Sequence, residues 1–351
     1  MKLLTSIWSS LGKLAGATSL FAVAVALPLC AQTSLTGAGA TFPAPIYQKW
    51  FSEYQSVDSN VQINYQAIGS GGGIRNITEG VVDFGASDGP MTDQQIASYK
   101  QKNGHGILHF PTVLGAAVPT YNVPGVSQEL NFTPEALAGI YLGQIKTWND
   151  SKIAQTNPGV KLPNTPIVVV HRSDGSGTTY VWTDYLSKVS SEWNSKVGRN
   201  TSVSWPVGLG GKGNDAVAAI VKGQTGAIGY VELIYAVKNH LAYGKVKNKS
   251  GKFIKADLAS VTAAAASVAN SMPSDFRVSI TNPSGATAYP ISSFTWLLIP
   301  EQIQDATKRK ALVGFLKWAI TKGQNDVESL EYAKLPAQIV AKEQKAIGLI
   351  K

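Results

Sequence analysis

Val61, Ile63 and Tyr65 alternate with polar neighbours and lead through Ile68 into Ser70 and three glycines, after which Ile74, Ile77 and Val81 recur at helical spacing. The order is strand, glycine-rich loop, helix. Val82 to Ser87 reads as another strand, and Ile167 to Val170 as a buried one ahead of a helical face formed by Val181, Trp182, Tyr185, Leu186 and Val189. Nearer the start, Leu35 to Ala40 predicts a short strand and turn. Ile46, Tyr47, Trp50 and Tyr54 then form an apolar helical stripe whose first turn accommodates Pro43 and Pro45. Alternating strands and helices predict an α/β protein with mostly parallel sheets.

Two stretches, Pro111 to Val123 and Tyr289 to Ile299, are extended and apolar, and are read as crossovers between two lobes. After Pro300 the pattern returns to helix, with Ala311, Leu312, Phe315, Leu316 and Ile320 on one face, and a last helix begins near Pro336. Ala263 to Ala266 is helix-prone. The expected division is residues 1–31 as an export segment, 32–116 with 290–351 as the first lobe, and 117–289 as the second. Hinges fall near Gly115 to Val118 and Ala288 to Pro290.

The 351 residues leave room for two cores, and 44% hydrophobic against 15% charged residues, with 34 Gly and 17 Pro, describes a globular chain rich in turns. Lys2 and Lys13 flank a polar start, and Leu14 to Cys30 carries no charge before the small Ala31, the pattern of a secretory signal. The apolar core is shorter than the roughly 20 residues of a membrane span, and Pro28 ends it. Cleavage after Ala31 yields a soluble protein. Lipidation at Cys30 is the alternative, and the bulky Leu29 speaks against it. Cys30 is the single cysteine, so disulfides and thiolate metal clusters are excluded from the mature domain. His105 and His109 have a helical pair's spacing, but Gly104 and Gly106 argue against that helix and against zinc.

Net charge is +9, from 31 Lys and Arg against 22 Asp and Glu. The basic residues form no stripe beyond Lys245 to Lys255 and Lys308 to Lys310, which are read as solvated faces, so no nucleic-acid partner is expected. A moderate positive field suits a small anion.

Three segments share one construction, a strand, then small and hydroxyl residues, then a helix start: Thr36 to Pro43, Ile68 to Gly73, and His171 to Thr178. The first turn of a helix has amides without acceptors and a partial positive charge, so each segment can cradle an anion. Glycine permits close backbone approach, and Ser and Thr add hydroxyl donors. Arg172 can grip two oxygens of a tetrahedral anion, or pair with Asp174, or do both if Asp174 orients it.

Thr36-Gly-Ala-Gly-Ala-Thr-Phe-Pro-Ala-Pro, Gly69-Ser70, Val82-Asp-Phe-Gly-Ala-Ser-Asp88, Arg172 with Asp174-Gly-Ser-Gly-Thr178, and Trp205-Pro-Val-Gly-Leu-Gly-Gly-Lys-Gly-Asn-Asp215 together resemble the PstS family, the periplasmic phosphate-binding proteins of bacterial ABC phosphate importers. The resemblance spans essentially the whole mature chain. It implies two α/β lobes joined by two crossover segments, closing on one phosphate without covalent chemistry, with no cofactor or metal, in a periplasmic monomer that serves a membrane permease. The ligand residues it implies are the amides of Thr41 and Phe42, Ser70, the Asp88 carboxylate, the Arg172 guanidinium, and donors of Ser176, Gly177 and Thr178, with Asp174 behind Arg172. Two positions depart from the family: His171 replaces another basic residue, and Gly71 follows Ser70 where a second serine is common.

Asp88 carries the expected selectivity, because a carboxylate repels a fully deprotonated oxyanion and accepts a hydrogen bond from one that keeps a proton. Its alternative is a cap or turn residue before Pro90 and Thr92. Four rival readings rank lower. Gly208-Leu-Gly210-Gly-Lys-Gly213, after Val203 to Val207 and with Glu232 downstream, has dinucleotide-fingerprint spacing, but Pro206 spoils the strand and the stretch is read as a structural loop. Ser176 with His171 and Asp174 suggests a phosphomonoester hydrolase, although adjacency in sequence is not a triad. A binder of another oxyanion and an extracytoplasmic adhesion module complete the set.

Overall fold

The computed structural model describes residues 32–351, so the expected export segment and Cys30 lie outside the described residues. The chain runs β1 (Thr33–Gly39), α1 (Ala44–Val57), β2 (Val61–Ala67), α2 (Ser70–Thr78), β3 (Phe84–Ser87), α3 (Asp93–Asn103) and the long β4 (Ile107–Tyr121). It continues through β5 (Asn131–Phe132), α4 (Pro134–Tyr141), α5 (Ser151–Ala154), β6 (Val168–Arg172), α6 (Gly177–Val189), α7 (Ser191–Lys196), β7 (Leu209–Gly211), α8 (Gly213–Gly223), β8 (Ala227–Glu232) and α9 (Leu233–Lys238). Then come β9 (Ala242–Tyr243), β10 (Lys245–Lys247), β11 (Phe253–Ile254), α10 (Leu258–Ala266), the return strand β12 (Ser292–Pro300), α11 (Ala306–Ala319) and α12 (Ala337–Ala346).

The main sheet has the order β2-β1-β3-β12-β4-β8-β6-β7, with β9 also on β4. The expectation of mostly parallel pairing is corrected. β1 is parallel to β2 and β3, and β6 to β7 and β8, but β12 and β4 run antiparallel to their neighbours. These two are the extended apolar stretches, one crossing out and the other back, so they oppose each other, β12 running against β3 and β4 against β8. β4 pairs with β12 as far as Ala116 and with β8 from Ala117 onward, so its change of partner falls inside the expected Gly115 to Val118 hinge. Tyr289 Oη donates to Ala117 O at 3.1 Å, which ties the second crossing to the first.

Each half of the sheet has its own aromatic core. Tyr47, Trp50, Phe51, Tyr54, Tyr65 and Phe84 pack with Phe315 and Trp318 on one side. Tyr141, Trp182, Trp193, Trp205 and Tyr230 pack on the other. Burying such rings supplies each half with its own hydrophobic driving force, on the order of 2–3 kcal/mol per large side chain. Among the described residues no ring pair joins the two clusters.

The glycines after Ser70 are not loop but the first turn of α2. A side chain at Gly73 would meet Ala38 O at 2.6 Å and Ala86 O at 2.8 Å, so glycine lets this helix lie directly on β1 and β3. His105 follows Gly104, the left-handed cap of α3, whereas His109 lies in β4 and accepts from the Met91 amide at 3.2 Å. The two histidines therefore share no helix.

Candidate functional site

The carboxyl ends of β1, β3 and β6 and the first turns of α1, α2 and α6 meet at the middle of the sheet, the place where open α/β sheets leave a crevice. Thr41, Phe42, Ser70 and Asp88 come to it from one half, and Arg172, Ser176, Gly177 and Thr178 from the other. All eight are buried. The halves touch here: the Gly71 amide donates to Gly175 O at 2.8 Å. A side chain at Gly71 would stand 3.0 Å from Gly175 Cα, so the departure from the expected serine goes with a close approach of two glycine backbones.

Among the described residues, the amides of Thr41, Phe42, Ser70, Gly177 and Thr178 have no acceptor in the protein. Ser176 caps α6, its Oγ accepting from the Thr179 amide at 3.0 Å, which leaves its proton available. Five free amides and several hydroxyls thus lie among buried residues where the two halves meet, a set of donors suited to an anion.

Arg172 is held by Asp174 through two hydrogen bonds, Nε to Oδ1 at 2.8 Å and Nη2 to Oδ2 at 2.6 Å, while Nη1 reaches Thr178 Oγ1 at 3.3 Å. Burial alone would raise the Asp174 carboxyl, but the hydrogen bonds and charge of Arg172 and the Gly213 amide hold it below its ordinary range. The Asp174 pairing is thus present, with Asp174 occupying the Nε and Nη2 edge of the guanidinium and Nη1 left on the side of Thr178.

Asp88 is 1% exposed. Thr295 Oγ1 donates to its Oδ1 at 2.8 Å, leaving Oδ2 on the side of Gly177 and Ser70. Burial pushes its carboxyl up to about 7, against the opposing pull of the Thr295 hydrogen bond, the Arg172 charge and the Ser70 hydrogen bond. It is not a helix cap; Thr92 caps α3, in a reciprocal capping box with Gln95.

The rivals fare worse. His171 stacks on Trp205 with ring centroids 4.8 Å apart, and its Nδ1 lies 3.0 Å from Arg172 O. Among the described residues it makes no hydrogen bond to Ser176, and Asp174 is engaged by Arg172. The dinucleotide fingerprint fails because Val203 to Val207 is not a strand and Glu232 is a buried cap of α9.

In Gly208 to Gly213, read as a structural loop, Leu209–Gly211 forms β7, and the contacts that follow are structural ones. The Gly213 amide donates to Asp174 Oδ1 at 3.1 Å, and Asn214 Nδ2 reaches Thr41 Oγ1 at 2.8 Å. Tyr235 Oη donates to Thr41 O at 2.5 Å and Tyr332 Oη to Phe42 O at 2.6 Å, bracing the first donor loop. Thr295, Asn214, Tyr235 and Tyr332 were not anticipated. Only the Asn-Asp pair ending the glycine-rich motif offered a local signal, as a polar helix start.

Two α/β halves meeting at the switch point of one sheet define the class, and the family model described as PBP superfamily domain matches residues 25–322. The fold is shared with the phosphate binding protein from Stenotrophomonas maltophilia, at TM-score 0.68 and 20% identity, covering 89% of this chain and 93% of that one. A high affinity periplasmic phosphate-binding protein bound with phosphate matches with TM-score 0.71 at 20% identity over the same shares. The phosphate-binding protein PstS of Pasteurella multocida is 44% identical over 320 residues, 91% of each chain. That of Methanocaldococcus jannaschii is 38% identical over 333 residues, 89% of this chain and 85% of that one. The chain belongs to the PstS family of phosphate-binding proteins.

Proposed function

We propose that this chain captures inorganic phosphate outside the inner membrane, by closure of its lobes and without covalent chemistry, and delivers it to the permease of an ABC importer. The observation that supports the reading is that five unpaired amides, the Asp174-paired Arg172 and the carboxylate of Asp88 are all buried where the two halves meet. In this reading Thr41, Phe42, Ser70, Arg172, Ser176, Gly177 and Thr178 donate to phosphate oxygens, and Asp88 accepts the ligand's remaining proton. The moving bodies are residues 32–116 with 290–351, and 117–289, turning as a monomer about the two crossings. The relatives' names, phosphate-binding protein PstS, support the same ligand.

Anion-dependent thermal stabilisation tests the reading. Phosphate and arsenate are expected to raise the melting temperature by several degrees, since a ligand at a thousand times its Kd adds about 4 kcal/mol. Sulfate and molybdate at the same ionic strength should leave it nearly unchanged. A melting temperature indifferent to all four anions would overturn the assignment.

Closure is also expected to depend on pH. In the closed arrangement burial lifts Asp88 to about 7, above the ordinary 3.8. Opening returns water to the carboxyl and lowers it toward that value. The closed state then binds the proton more tightly, so empty closure is favoured in acid. That advantage is lost as pH rises from about 4 to about 7, by up to about tenfold per pH unit. Small-angle scattering of the phosphate-free protein should show a smaller radius of gyration at pH 5 than at pH 8. Asp88→Asn should flatten the profile, and a profile unchanged in that variant would reject Asp88 as its source.

A further inference from the structure

Asn214 is fully buried in the first turn of α8, and its contacts reach both sides of the crevice. Its Oδ1 accepts from the Glu232 amide at 3.0 Å. A backbone N–H can only donate, so this bond fixes the orientation of the side-chain amide and turns Nδ2 the other way. Nδ2 donates to Thr41 Oγ1 at 2.8 Å and to Thr178 Oγ1 at 3.2 Å, two hydroxyls that come from opposite halves. The Asn214 amide adds a contact to Thr41 Oγ1 at 3.3 Å.

A threonine hydroxyl has two lone pairs and one proton. Thr41 Oγ1 receives both contacts from Asn214, and Thr178 Oγ1 receives one from Asn214 and one from Arg172 Nη1. With their lone pairs taken, each hydroxyl has only its proton left to offer. Among the described residues neither proton is donated to a protein group, and both hydroxyls adjoin the free amides of the crevice.

We propose that Asn214 is a positioning residue acting through Thr41 and Thr178: it turns both hydroxyl protons onto the bound anion and latches the closed cleft, thereby setting how long the ligand stays. The proposal rests on the phosphate-binding reading. Because the Thr41 contact crosses the crevice, it forms on closure, and its loss acts on departure of the ligand more than on its arrival.

Stopped-flow kinetics and titration calorimetry with inorganic phosphate, on the wild type, Asn214→Ala and Asn214→Asp, test this. Asn214→Ala is expected to raise koff roughly ten- to a hundredfold, with kon changed less than about threefold, the scale of one or two lost hydrogen bonds. Asn214→Asp keeps the shape and the bond from Glu232, but a carboxylate only accepts. It should draw the hydroxyl protons off the anion and set a negative charge beside it, weakening binding at pH 8 by about a hundredfold beyond the alanine variant. At pH 5.5 protonation should narrow the gap between the two variants. An aspartate variant that binds as tightly as the wild type at pH 8, or no more weakly than the alanine variant, overturns the proposal. So does an alanine variant with a wild-type koff, or one whose loss lies wholly in ligand-free melting temperature. A wild type that gives no phosphate signal removes the functional reading itself, whereas a wild type that binds beside indifferent variants removes only the role of Asn214.

Discussion

Replacing Asp88 by asparagine is expected to bring sulfate binding within reach of phosphate binding. Asp88 Oδ1 is engaged by Thr295 and Oδ2 faces Ser70 and Gly177, so a protonated oxyanion in the crevice can donate to Oδ2 and a fully deprotonated one cannot. Two like charges about 4 Å apart at an effective dielectric of 20 repel by roughly 4 kcal/mol. At ~1.4 kcal/mol per decade, that is a penalty approaching a thousandfold on sulfate. The asparagine keeps the volume and can still accept a hydrogen bond, so phosphate affinity should fall by no more than about tenfold, the worth of one hydrogen bond. Titration calorimetry of both proteins with both anions should show the ratio narrowing by two to three orders of magnitude, as expected from removing that repulsion. An unchanged ratio would remove Asp88 as the selector. The wild type itself should lose discrimination progressively as pH falls from about 7 toward about 4, by up to about tenfold per pH unit, as proton uptake by Asp88 on closure becomes easier.

A single methyl group at Gly177 should hold the cleft open. Gly177 begins α6, and a side chain there would overlap Asp88 Oδ2 and Ser70 Oγ on the facing half. Neither neighbour is free to withdraw. Asp88 is pinned by Thr295, and Ser70 Oγ accepts from the Asp88 amide at 3.3 Å. Alanine suits a helix start and the clash exists only on closure, so the ligand-free melting temperature should change little. Overpacking costs about 1–3 kcal/mol, and each hydrogen bond to a charged ligand that is no longer formed adds about 1.5–3. A loss of affinity of at least a hundredfold is therefore expected for Gly177→Ala. The radius of gyration should also stay at its phosphate-free value in saturating phosphate. Wild-type affinity together with normal compaction would show that the two halves never approach as closely as this structure places them.

Much of the candidate site was legible before the fold. Thr41, Phe42, Ser70, Ser176, Gly177 and Thr178 all stand where a strand gives way to a helix through small residues, and that signal is local: unpaired amides follow from helix geometry alone. Arg172 and Asp174 sit two residues apart, so their pairing needed no long-range contact. Thr295 was harder to see. It lies among apolar residues of a crossover strand and reaches Asp88, 207 positions earlier, only because β12 is threaded between β3 and β4. Asn214, Tyr235 and Tyr332 are of the same kind, bracing the Thr41 loop from far along the chain.

The amino-acid sequence was enough to tell which stretches become strands and helices and which segments end in free donors, because hydrophobic period, helix starts and glycine placement are properties of short windows. It also carried the family. The tertiary structure alone decided the direction of the two crossing strands, the contact of Gly71 with Gly175, and the hydroxyls and amides standing behind Asp88 and Thr41. Those depend on which distant strands become neighbours, and a one-residue slip in that pairing would turn Thr295 away from Asp88 without altering any local pattern.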